Sequence, residues 1–179
     1  GSEMCIRDRY RSKWNCNFEK MNFHLYSRLI LILFFLVACE PDDICLESNT
    51  DTPNLILKFV DSFSGETKSV NNLRIKGFNN NEDFFLGTID SISIPLNNYE
   101  NTSSFSFTKE FDSNQSNEDL IYFNYSRNNV YISRSCGYKM EYEIENIIVE
   151  NDNLNWIEDS IIEKRVVNDE NSHHVKIYH

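Results

Sequence analysis

Beyond Asn54 the chain alternates apolar and polar residues with a period of two, the mark of strands that bury one face. Leu55, Leu57 and Phe59 interleave with Ile56, Lys58 and Val60, which predicts an early strand. A second follows over 70–78, with Leu73 and Ile75 set against Arg74 and Lys76. Further strands are expected over 84–89, over 91–94 up to Pro95, and over 104–108, where Phe105 and Phe107 share one face. Ser64-Gly65, the polar stretch 79–83, the Ser/Asn-rich stretch 112–119 and Asp152-Asn153 supply the turns.

The stretch 120–133 predicts a hairpin. Its aromatic and β-branched runs, 120–125 and 130–133, flank a polar Ser126-Arg127-Asn128-Asn129 that reads as the turn. Gly137 permits a bend or bulge. Glu141, Glu143 and Glu145 fall on one face of the next strand, and the phase slips at Asn146 before Ile147 and Val149 resume it. The last candidate strands cover 156–167 and 174–178. Eight to ten strands without an amphipathic helix predict an all-β fold, a two-sheet antiparallel sandwich of immunoglobulin-like or related topology.

One apolar run does not alternate. Residues 29–38 are continuously hydrophobic and end in Leu36-Val37-Ala38-Cys39. As a helix, ten residues rise about 15 Å, half of a hydrocarbon core of about 30 Å. With Arg28 before it and small Ala38 at its end, the run reads as a lipoprotein signal peptide over 21–38. Cys39 is then the first mature residue, its thiol carrying the lipid. Gly1 to Arg9 resembles translated adapter sequence, and Met21 is a suitable start, so 1–20 is set apart as a non-native extension. Residues 39–53, acidic and holding Pro41 and Pro53, read as a linker, and 54–179 as the sandwich domain.

Charge narrows the partners. Six of the 17 basic and three of the 28 acidic residues precede Cys39, leaving 11 and 25 in the 141-residue remainder, a net charge near −14. Nucleic acid, which is bound through basic patches, is not an expected partner. Nor is an anionic bilayer surface, so membrane contact is assigned to the lipid on Cys39. With Cys39 lipidated, Cys45 and Cys136 remain. An exported compartment permits their disulfide; the other reading is two free buried thiols. Closing a loop of about 90 residues is worth roughly 4–5 kcal/mol at most by loop-closure entropy.

Catalytic chemistry finds little support. The mature histidines are His173, His174 and His179, and neighbours along a strand face opposite ways, so an exposed last strand is expected rather than a metal site. No CxxC or HExxH pattern, phosphate loop or nucleophile elbow occurs. Glu141, Glu143 and Glu145 read as a solvated strand face. Tyr122, Tyr125, Tyr131, Tyr138 and Tyr142 offer either an aromatic platform for sugar rings or packing residues with rim hydroxyls. We therefore expect no enzyme, no metal and no cofactor.

The stretch 123–139, with Cys136-Gly137-Tyr138-Lys139, together with Asp42-Asp43-Ile44-Cys45 and the closing 174–179, resembles a family of small uncharacterised lipoproteins of the Bacteroidota. The resemblance runs from Cys39 to His179. It implies an outer-membrane, lipid-anchored address, on the periplasmic face or cell surface, and supports the pairing of Cys45 with Cys136. The expected role is a non-enzymatic interaction or structural domain meeting an envelope protein or glycan. The alternative is a carbohydrate- or ligand-binding module.

Overall fold

The computed structural model describes residues 26–28, 30, 31, 45 and 51–179. The chain divides into two units, 1–44 and 45–179. In the first, residues 26–28, 30 and 31 are helical. The expectations about residues 1–20, the remainder of the leader, Cys39, and the linker apart from Cys45 and 51–53 lie outside the described residues. Among the described residues no helix is long and apolar enough to cross a membrane.

The second unit is built of strands: β1 (Leu55–Val60), β2 (Val70–Gly77), β3 (Asp83–Ile89), β4 (Ser91–Ile94), β5 (Thr102–Lys109), β6 (Asn117–Ser133), β7 (Gly137–Val149), β8 (Asp159–Ile162), β9 (Val166–Val167) and β10 (Val175–Tyr178). They form a four-stranded sheet, β4-β1-β10-β8, and a six-stranded sheet, β3-β2-β5-β6-β7-β9. The arrangement is sandwich-like, and the apolar set of each alternating strand points between the sheets. Leu55, Leu57 and Phe59 meet Leu73 and Ile75, Phe105 and Phe107, Ile121 and Phe123, and Val175 and Ile177 in one core cluster. Each fully buried side chain of this kind contributes roughly 1.5–3 kcal/mol.

The sheets are not purely antiparallel. β1 and β10 pair in parallel, Leu57 opposite Val175 and Phe59 opposite Ile177. This overturns the expected exposed last strand. β10 lies between β1 and β8, and both its ladders are filled. The physical signal was Val175 and Ile177 on one face, which requires a covering sheet.

The expected turn at 126–129 is also corrected. β6 runs unbroken through it, with Ser126 opposite Glu143, Asn128 opposite Glu141 and Asn129 opposite Met140. The reversal falls at 134–136, where the backbone amide of Cys136 donates to Ser133 Oγ at 3.0 Å, and Gly137 follows with φ of 75°. β5 pairs with β6 only as far as Asn124. β9 still flanks β7 opposite Ser126 and Arg127, and beyond Arg127 β6 and β7 form an arm of two strands. Polar residues there report the loss of a covering layer, not the end of a strand. The phase slip read at Asn146 is a β-bulge opposite Asn124 and Tyr125.

The single strand expected over 156–167 is two. β8 joins the four-stranded sheet and β9 the six-stranded one, and polar Glu163-Lys164-Arg165 carries the chain between them. Asp90 does the same between β3 and β4.

Candidate functional site

Cys45 and Cys136 are joined by a disulfide with Cα atoms 4.9 Å apart. The bond ties the segment before β1 to the tip of the β6–β7 arm. Farther along, the Met140 amide donates to Thr52 Oγ1 at 3.0 Å, a second attachment of that segment to β7. At the same tip, Tyr131 and Tyr138 meet edge to face with ring centroids 5.3 Å apart. They are 54% and 69% exposed. Lys139 pairs with Glu141 at 2.9 Å.

The five tyrosines do not form one platform. Tyr125 and Tyr142 are buried and pack edge to face at 5.2 Å. The Tyr125 hydroxyl bonds Ser103 Oγ at 2.7 Å and donates to the Asn97 carbonyl at 3.0 Å. Tyr142 donates to Asn98 Oδ1. Burial pushes the Tyr142 phenol up to about 12, and the Tyr125 phenol upward as well. Both stay neutral donors at ordinary pH. Arg127, read from sequence as a turn residue, instead holds the β4–β5 connection: Nε donates to Asn101 Oδ1 at 2.7 Å and an Nη to the Asn98 carbonyl at 2.6 Å.

The histidines serve packing. His174 is buried, and its Nδ1 accepts the Ile56 amide at 3.1 Å. His179 is buried with its ring edge-on to Phe59 and Trp156. Burial lowers both pKa values, with Lys164 adding to the effect at His174, and Lys109 and Lys68 at His179. His173 is half-buried and paired with Glu163. Among the described residues no three His, Cys, Asp or Glu side chains are grouped to hold a metal ion. Glu143 and Glu145 are exposed.

A depression of about 530 Å³ lies on the outer face of the six-stranded sheet. It follows from the Ser-Phe-Ser-Phe alternation of β5. Phe105 and Phe107 fill the core, so the opposite face of this central strand carries the small hydroxyl residues Thr102, Ser104, Ser106 and Thr108. Larger neighbours stand on each side. The register sets Lys76 and Leu120 beside Ser106, and Tyr122 beside Ser104. Phe78, 43% exposed, leans to within 6.2 Å of the Tyr122 ring. The carboxylates are held: Ser106 Oγ donates to Glu118, and Tyr122 Oη donates to Glu150 Oε2 at 3.0 Å, which raises the Tyr122 pKa. The alternation of β5 was legible in sequence. Its consequence needed the strand order, since a Ser face makes a trough only when its neighbours are larger.

Fold and side chains together define a nearly all-β protein with two sheets in a sandwich-like arrangement and, among the described residues, one disulfide. The chain belongs to the family of unknown function DUF6452, which matches residues 65–179. The matched region contains the β6–β7 arm and Cys136 and begins beyond Cys39 and Cys45. No curated protein and no solved structure matches the chain.

Proposed function

We propose that this is an exported lipoprotein of the Bacteroidota type, anchored through a lipid on Cys39 at the outer membrane, whose sandwich is a non-enzymatic interaction or structural domain. The observation that carries the reading is the Cys45–Cys136 disulfide, because such bonds persist in oxidising compartments outside the cytosol. The apolar run ending at Ala38-Cys39 supports the anchor. Ile30 and Leu31, within that run, are helical and exposed, in keeping with a leader that enters a bilayer. The packing roles of His174 and His179 support a non-catalytic domain. On this reading the wild-type protein sediments with membranes and Cys39→Ser appears in the soluble fraction. A wild-type protein found soluble contradicts it.

The sandwich is read as immunoglobulin-related. Chain crossings between sheets at Asp90 and at 163–165 support this, whereas the β5-β6-β7 meander sets it apart from a seven-stranded immunoglobulin domain. An experimental structure that superposes on no immunoglobulin-like sandwich removes the assignment.

A second reading, a carbohydrate- or ligand-binding module, draws support from exposed aromatic surface: Tyr131 and Tyr138 at the arm tip, and Phe78 beside the trough.

A further inference from the structure

We propose that the trough on the outer face of the six-stranded sheet, over Ser106, binds a neutral oligosaccharide. The inference rests on the second reading above and gives it a site.

Shape comes first. The volume of about 530 Å³ falls within the ~300–1,000 Å³ typical of small-molecule sites. Its floor is Ser106 on a central strand of the sheet, so the trough is built on rigid backbone. Its lining steps across the sheet from Lys76 through Ser106 to Leu120 and on to Glu150, a spread over several strands that suits more than one ring.

Chemistry selects the ligand class. A sugar ring presents an apolar C–H face and a rim of hydroxyls. Phe78, backed by the Tyr122 ring, offers aromatic surface to the first. Glu118 and Glu150 offer acceptors to the second, and each is already oriented by a hydroxyl donor from the sheet. A carboxylate accepts several bonds, so the orienting hydroxyl leaves capacity for a ligand. Preorientation lowers the ordering cost of binding.

Charge excludes the competitors. Asp152 joins Glu118 and Glu150 in the lining, and Lys76 there is shared with Asp83 at 3.7 Å. The balance is negative, which disfavours phosphates and acidic glycans. A basic peptide would satisfy the carboxylates but would leave the aromatic wall without a planar apolar partner.

The full chain, isotopically labelled, is titrated by NMR with maltotetraose, mannotriose and triacetylchitotriose, and separately with tetralysine. At least one neutral probe is expected to saturate and to shift the Phe78 and Tyr122 ring signals. Phe78→Ala should weaken that binding about tenfold, the worth of one aromatic contact, and Glu150→Gln should also weaken it. Both positions are exposed, so both variants should keep the wild-type spectrum elsewhere. Tyr138→Ala at the arm tip should leave the affinity unchanged. Three silent neutral probes, or binding of tetralysine alone, overturn the proposal. Binding lost in Tyr138→Ala but kept in Phe78→Ala also overturns it, while sparing a ligand-binding role at the arm. Failure of membrane anchoring in the Cys39→Ser experiment has no bearing on any of these outcomes.

Discussion

Cys45 and Cys136 stand 91 residues apart in sequence and are bonded at the tip of the β6–β7 arm. The bond joins the segment that precedes β1 to the end of the arm, past the last pairings of β6 with β5 and of β7 with β9. Its main effect should be on the unfolded chain, where it closes a long loop. Reduction, or the double change Cys45→Ser with Cys136→Ser, should lower stability by up to about 4–5 kcal/mol. Denaturant midpoints measured with and without reductant check this; identical midpoints contradict it.

The buried Tyr125–Tyr142 pair links the sheet to the β4–β5 connection. Removing the Tyr125 hydroxyl strips a partner from Ser103 Oγ and from the Asn97 carbonyl. Tyr125→Phe should cost about 1–2 kcal/mol, with the ring packing retained. An unchanged urea midpoint would show that water replaces the hydroxyl without loss.

Arg127 fastens the same connection from outside, through Asn98 and Asn101. It is exposed, so its loss should cost no more than about 1 kcal/mol globally. The effect should be local. In Arg127→Ala, amide exchange over 97–101 should speed up while that of β1 and β10 stays constant. Equal protection in the two proteins would remove Arg127 as the fastener.

Stability should fall as pH drops from 7 toward 5. Burial holds the folded-state pKa values of His174 and His179 below the ordinary value near 6.5. The unfolded chain therefore takes up protons that the folded chain refuses, and stability present above about pH 6.5 is lost below it. Asp61, Asp83, Glu163 and Asp169, whose pKa values are lowered by lysine or arginine partners, add a further loss at more acid pH. Asp119 opposes them. Its buried carboxyl has a raised pKa, so its contribution declines as pH rises. His179→Phe keeps an aromatic ring beside Phe59 and Trp156 and should flatten the melting-temperature profile between pH 7 and 5. A wild-type slope in that variant contradicts the assignment.

Much of the sandwich was legible from alternation. β1, β2, β4 and β5 bury the residues whose period marked them, and the slip at Asn146 corresponds to a bulge. What periodicity does not encode is partnership. The parallel match of Leu57 with Val175 joins segments more than a hundred residues apart, and nothing local to either announces it. The same limit hid the trough, whose lining comes from β2, β5 and β6 and from the residues that follow β2 and β7. The arm failed for a different reason. Ser126 to Asn129 have turn chemistry, but the cross-strand ladder to 140–143 overrides it. Arg127 then takes a role that a turn residue could not, bridging to Asn98 and Asn101. Lipidation at Cys39 was read from the sequence alone and rests on the motif around it.

The anchored, stapled domain is tested most directly by intact mass of the membrane-extracted protein, before and after reduction with alkylation. The expected species begins at Cys39, is heavier by its lipid, and exposes Cys45 and Cys136 to alkylation only after reduction. An unlipidated chain that retains residues preceding Cys39, with both thiols open to alkylation from the start, would contradict the account.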